Sequence, residues 1–214
     1  MAIVGKQFPD LNVDAMNELG DTFKINVLEE AKNNNKKVVL FWYPKDFTFV
    51  CPTELHAFQA AQEEFAKRNT IVIGASCDTP EVHFAWLSQS KDNGGIEGVT
   101  YPILADSNRN LSSILGILDI KNETYDEATG TVQVEGDNVT YRATYIIDED
   151  GIVQHESINN MPLGRNVGEY LRLVDALTHV QEKGEVCPAN WEEGKDAMQA
   201  NAKGTAAYLA NHVN

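Results

Sequence analysis

The chain reads as an α/β layered domain followed by an arm poor in core-forming residues. Three observations carry that reading. Residues 38–43 (Val-Val-Leu-Phe-Trp-Tyr) and Thr70–Ser76 are short apolar runs rich in β-formers, the pattern of strands buried on both faces. Each is followed by apolar residues at helical spacing, beginning near Pro52 and Pro80. Two further strands, 141–147 and 152–157, lie next to each other in sequence, and after Gly184 large apolar side chains become sparse. Strands that alternate with helices and end in an adjacent pair indicate stacked layers.

Taken in order, residues 8–27 hold two alternating segments split around Asn17 to Asp21, a small hairpin. Pro44 ends the first buried strand. Leu55, Phe58, Ala61 and Phe65 then predict one helix over 52–67, with Pro52 suited to its first turn. Asp78-Thr79-Pro80 opens the next helix, whose inward face is expected to carry Val82, Ala85, Trp86 and Leu87. A strand over 101–105 and a helix over 110–118 follow. Residues 121–139 are polar and acidic, with alternation at 131–134, and read as an exposed hairpin-like excursion. Asp148-Glu149-Asp150-Gly151 is a turn with glycine at the position that needs positive φ. An amphipathic helix over 166–180 places Val167, Tyr170, Leu171, Val174 and Leu177 on one face. The expected division is residues 1–165 as the main domain and 166–214 as the final helix and arm.

Charge narrows the function. Of 214 residues, 32 are acidic and 17 basic, a net charge of −15. Such a surface repels phosphate backbones and anionic headgroups, so neither nucleic acid nor membrane is an expected partner. No apolar run reaches the roughly 18 residues of a membrane span. The first ten residues lack a basic stretch before an apolar core, so no signal peptide is expected, and the expected location is the cytoplasm. In a reducing compartment, the three cysteines are catalytic, metal-binding or inert sooner than structural disulfides. The five histidines show no paired ligand spacing and no Cys-x-x-Cys is present, so neither metal nor other cofactor is expected.

Cys51 stands where a buried strand gives way to a helix. At a helix start the unpaired amides and the positive end of the macrodipole favour an anion, and the thiolate is the reactive form of cysteine. Thr48, three residues earlier, offers a hydroxyl able to donate and accept; Pro44 offers a ring that limits water. Taken alone, Cys51 is equally a small buried hydrophobe, the common fate of a free thiol. Cys77, closing the strand Thr70–Ser76, reads as such a buried side chain.

The segment Tyr43-Pro44-Lys45-Asp46-Phe47-Thr48-Phe49-Val50-Cys51-Pro52-Thr53-Glu54 resembles the peroxidatic motif of the peroxiredoxins, Pro-x-x-x-Thr-x-x-Cys, in its typical two-cysteine form. That branch includes the peroxidase component of alkyl hydroperoxide reductase and the thiol-specific antioxidants. The resemblance continues through His83-Phe84-Ala85-Trp86, Ile146-Ile147-Asp148, Met161-Pro162-Leu163-Gly164-Arg165 and Gly184-Glu185-Val186-Cys187-Pro188-Ala189-Asn190-Trp191. It excludes 121–139, which look longer than the corresponding connection in many relatives.

The resemblance implies a thioredoxin-like three-layer sandwich with a central mixed sheet, an N-terminal hairpin and a C-terminal arm. It implies Cys51 as the peroxidatic cysteine, Pro44 and Thr48 as its pocket partners, and Arg142 as the arginine completing the site. Without it, Arg142 is an exposed strand arginine. Glu54 matches a position that orients this arginine, though a first-turn acid also complements the helix dipole. Cys187 matches the resolving cysteine, supplied by the other subunit of a homodimer, and the family commonly builds rings of dimers such as decamers. The implied activity is reduction of hydrogen peroxide and small organic hydroperoxides through a sulfenic acid and an intersubunit disulfide. The implied reductant is a dithiol protein, of thioredoxin type or a flavoprotein disulfide reductase. Two other classes stay open at this point: an oligomeric holdase chaperone, and a thiol–disulfide oxidoreductase, against which the missing Cys-x-x-Cys counts.

Overall fold

A computed structural model describes residues 2–212. The chain divides into two compact units, Met1–Arg165 and Asn166–Asn214.

In the first unit, β1 (Asn12–Met16) and β2 (Thr22–Asn26) form the antiparallel N-terminal hairpin, and α1 (Val27–Asn34) follows directly, capped by the Asn26 side chain on the Glu29 amide. Next come β3 (Lys37–Trp42), α2 (Cys51–Ala60), α3 (Gln62–Lys67), β4 (Thr70–Ser76), α4 (Pro80–Leu87), β5 (Ile103–Ala105) and α5 (Asn110–Leu115). An exposed hairpin of β6 (Asn122–Asp126) and β7 (Thr131–Glu135) precedes β8 (Arg142–Ile147) and β9 (Val153–Asn159). Seven strands make one mixed sheet in the order β2-β1-β5-β4-β3-β8-β9, with β3, β4 and β5 parallel and the other pairings antiparallel.

The interior strand β3 is buried throughout, and strand periodicity sends its side chains alternately to two cores. Val38, Leu40 and Trp42 join Val27 and Ala31 of α1 and Leu111 and Leu115 of α5. Phe41, on the other face, stacks on Phe58 of α2 at 3.9 Å between centroids and meets Tyr101 edge-on at 5.7 Å. The sheet is thus the middle of three layers. Gly151, in the β8–β9 turn, takes φ +79°, and a Cβ there would lie 2.2 Å from Leu28 Cδ1, so both backbone and space demand glycine.

Several boundaries differ from the sequence reading for local reasons. The single helix over 52–67 is two, because the turn tightens at Ala61, whose amide is shared between the Ala57 and Phe58 carbonyls. α5 stops at Leu115 because Gly116 takes the left-handed conformation at φ +67°. α4 buries His83, Trp86 and Leu87, while Ala85 is exposed. His83 turns inward because a buried carboxylate, Asp46, waits for it on the loop after β3.

In the second unit, α6 (Val167–Lys183) is capped at its start by Asn166 and at its end by Gly184 in the left-handed conformation, and it buries Val167, Tyr170 and Val174. The arm carries an isolated bridge, Val186 with Met198, and α7 (Ala202–His212). Among the described residues, no helix is long and apolar enough to cross a membrane.

Candidate active site

Residues 44–50 leave the buried end of β3 and deliver Cys51 as the first residue of α2. A polar network fixes this loop. Tyr43 donates its hydroxyl hydrogen to Asp46 Oδ1 at 2.7 Å, His83 Nδ1 lies 2.8 Å from Asp46 Oδ2, and the Asp46 amide donates to Asp78 Oδ2 at 2.8 Å. Burial, foremost, pushes the Asp46 carboxyl above its usual range, opposed by its hydrogen bond with His83. Burial likewise lifts the Tyr43 hydroxyl well above its ordinary value, so it stays a donor. Phe47 takes φ +55°, unusual for a side-chain-bearing residue, and turns the loop before Thr48.

Cys51 is fully buried. Arg142, the first residue of β8, places Nη1 3.4 Å from the Cys51 sulfur and 2.7 Å from Glu54 Oε2, and its Nε donates to the Met161 carbonyl. Glu54, one turn along α2, is buried too. It accepts four hydrogen bonds: one from Arg142, and three from the Arg165 amide, Nε and Nη2 at 2.8–2.9 Å. Arg165 Nη1 donates to the carbonyls of Trp42 and Ala143, and its guanidinium lies 5.1 Å over the Phe41 ring.

Two buried guanidiniums, those of Arg142 and Arg165, enclose the Glu54 carboxylate, which holds Arg142 Nη1 against the sulfur. The helix mouth contributes less than its position suggests, because Pro52 has no amide hydrogen and the Thr53 and Glu54 amides bond back to the Val50 carbonyl. The guanidinium of Arg142 is the sulfur's principal polar contact.

The sulfur opens onto a pocket of about 300 Å³ whose lining includes Pro44, Thr48, Val50, Cys51, Arg142 and Met161. Thr48 Oγ1 donates to the Lys45 carbonyl at 3.0 Å, which leaves its lone pairs as acceptors. Arg142 Nη2 makes no hydrogen bond among the described residues. Beside the sulfur the pocket therefore offers an acceptor, Thr48 Oγ1, and a donor, Arg142 Nη2.

Residues 4–156 match the family model described as AhpC/TSA family, and residues 176–211 match the C-terminal domain of 1-Cys peroxiredoxin. The chain is a peroxiredoxin of the AhpC/TSA family. It is 40% identical over 211 residues to alkyl hydroperoxide reductase C of Helicobacter pylori (strain ATCC 700392 / 26695), covering 97% of this chain and 96% of that one. It is 37% identical over 210 residues to the chloroplastic 2-Cys peroxiredoxin BAS1 of Hordeum vulgare, covering 98% and 91%. The solved structure of reduced Plasmodium vivax 2-Cys peroxiredoxin superposes with a TM-score of 0.87 at 35% identity, covering 98% of this chain and all of that one. The superposed structure has the same α/β layered, thioredoxin-like architecture, and the Hordeum vulgare and Plasmodium vivax relatives are both named two-cysteine peroxiredoxins, the branch to which this chain belongs.

The structure brings Pro44, Thr48, Cys51, Glu54 and Arg142 together around one sulfur. Cys187 lies in the second unit, half-buried, its thiol 3.7 Å from the Ala176 carbonyl. Burial lifts the Cys187 thiol above its ordinary value, and Arg172 opposes that shift. All three cysteines are free thiols. Cys77 is buried beside Ser112, and burial pushes its thiol up to about 11. Sequence reasoning gave no role to Arg165 or His83, although both stand inside family-like motifs. An arginine ending the string Met161 to Gly164 was the available signal for the first. For the second there was no local signal, because its partner Asp46 lies 37 positions earlier, on the loop after β3.

Proposed function

We propose that this peroxiredoxin reduces hydrogen peroxide and small organic hydroperoxides, with Cys51 as the attacking sulfur and Cys187 of a partner subunit as the resolving one. The observation that carries the proposal is the buried cluster in which Arg142 Nη1 lies 3.4 Å from the Cys51 sulfur, held there by Glu54, which Arg165 holds in turn.

The hydroperoxide O–H donates to Thr48 Oγ1, whose own hydrogen is held by the Lys45 carbonyl. Arg142 Nη2 donates to a peroxide oxygen. The Cys51 thiolate attacks one oxygen and the O–O bond breaks. The sulfur is oxidised to a sulfenic acid, and the alkoxide or hydroxide leaves and takes a proton to become alcohol or water. Pro44 and Met161 cover the site and limit water. The Cys187 thiol then displaces the sulfenic hydroxyl, forming a disulfide and one water. Because Cys51 is fully buried, the first turn of α2 has to open for that second step. An external dithiol protein, thioredoxin-like or a flavoprotein disulfide reductase, returns both thiols. A homodimer, closing into rings such as decamers, in the reducing cytoplasm completes the reading.

Stoichiometric peroxide added to reduced protein, followed by non-reducing electrophoresis, tests it. Wild type should give a disulfide-linked dimer as the main product, and Cys51→Ser and Cys187→Ser should each lose it. A dimer that persists in Cys51→Ser would overturn the assignment.

A further inference from the structure

The exposed hairpin β6–β7 does not stop at the surface. Its return strand continues into 136–140, and two residues of that stretch, Asp137 and Val139, line the pocket above Cys51 and Arg142. They are held there firmly. Gly136 takes φ +116° at a point where a Cβ would lie 2.3 Å from the Asp119 carbonyl oxygen. Asn138, also left-handed at φ +49°, donates its amide to the same oxygen, and its own carbonyl accepts from Arg109 Nε at 2.9 Å. The Val139 carbonyl accepts from the Asp119 amide, and Thr140 Oγ1 donates to the Tyr43 carbonyl at the root of the Cys51 loop. Asp137 therefore sits between two pinned residues, not at the tip of a waving loop.

We infer that Asp137 selects among hydroperoxides by charge, admitting those with neutral apolar tails and opposing those with a carboxylate near the peroxide. The inference rests on the peroxidase reading above and adds the substrate class. Apart from the reacting groups, the pocket walls are mainly apolar: Phe49, Val50, Val139, Met161 and Pro162. A volume of about 300 Å³ suits a small branched or aryl hydroperoxide, at the lower end of ligand pockets. Arg142, at the floor, is already engaged by Glu54 and the sulfur, so its charge is spoken for. Asp137 makes no ion pair or hydrogen bond through its carboxylate among the described residues, so no neighbouring side chain offsets its charge before a substrate arrives. The opposing cation in the lining, Lys45, is exposed as Asp137 is, so the change on replacing Asp137 alone is what isolates the carboxylate's effect.

The test is a matched pair of substrates: cumene hydroperoxide bearing a para-carboxylate, and its methyl ester. Single-turnover rate constants are measured for full-length wild type and for Asp137→Asn. The substitution should raise the carboxylate-to-ester rate ratio by about three- to tenfold, the effect of one partly screened charge at contact range. Raising ionic strength from about 0.01 M to about 1 M should shrink that gain, since the carboxylate is exposed. An unchanged ratio in Asp137→Asn, including the case where both rates fall together, would overturn the inference. If wild type consumed neither substrate faster than Cys51→Ser, the peroxidase reading itself would fail instead.

Discussion

Glu54, almost wholly buried, collects four hydrogen bonds from two arginines. Glu54→Ala should therefore lower stability by about 3–5 kcal/mol, the usual cost of stranding a buried charge. Denaturant unfolding reads this directly; an unchanged midpoint would show that Arg142 and Arg165 find other partners. Thr48→Val keeps the shape and removes the acceptor, and should slow peroxide reduction by about 10²-fold, with Thr48→Ser retaining most of the rate. Cys77 is held at about 11 by burial, so the folded chain keeps that proton where an unfolded chain loses it. Folding is thus progressively less favoured as pH rises from about 9 towards about 11, and at about pH 8 iodoacetamide should leave Cys77 unmodified until the chain unfolds. Peptide mapping checks the second point. At this scale the sequence was partly legible. Pro44, Thr48 and Cys51 share one short segment whose residue types state their chemistry. Arg142 and Glu54 needed the family resemblance, since each has an ordinary role available. Arg165 meets Glu54 across 111 positions, a convergence that no local pattern encodes.

Helix α2 has to be both a clamp and a gate. Its first turn buries Cys51, yet a disulfide to Cys187 requires the sulfurs to come to bonding distance, about 2 Å. Hydrogen exchange over the first turn of α2 should be slow in the reduced protein and faster in the oxidised one. Equal protection in both would mean that the disulfide forms without opening the helix. The hairpin β6–β7 has the opposite character: nearly every residue in its two strands is exposed. Removing residues 123–134 while keeping the pinned stretch 136–140 should shift Tm by less than about 3 °C, because little apolar surface is lost. The core strands were legible because burial on both faces leaves short, continuous apolar runs rich in β-formers. The inward turn of His83 was not, because Asp46, 37 positions away, decides it; nor was the break at Ala61, which lies in a shared backbone bond to the Ala57 and Phe58 carbonyls that side-chain spacing does not report.

For the molecule as a whole, the two units carry one proposed reactive sulfur each, and the proposed mechanism joins them through a second copy of the chain. Mixing Cys51→Ser with Cys187→Ser protein under reducing exchange, then adding peroxide, should restore a disulfide-linked dimer that neither variant forms alone. Failure of the mixture, with proven subunit exchange, would point to pairing within one chain. The net charge of −15 was legible at once and bears on solubility and on nucleic-acid avoidance. The partner subunit was legible only through the family, since an arm with few core residues does not say what it lies on.

Cys51 has to be the sulfur that meets peroxide for any of this chemistry to run. The direct measurement treats reduced Cys187→Ser protein with one equivalent of hydrogen peroxide in the presence of dimedone, which captures sulfenic acids, and maps the adduct by mass spectrometry. A single adduct on the Cys51 peptide, with Cys77 unmodified, is the predicted result. An adduct on Cys77, or none on Cys51 while peroxide is consumed, would contradict it.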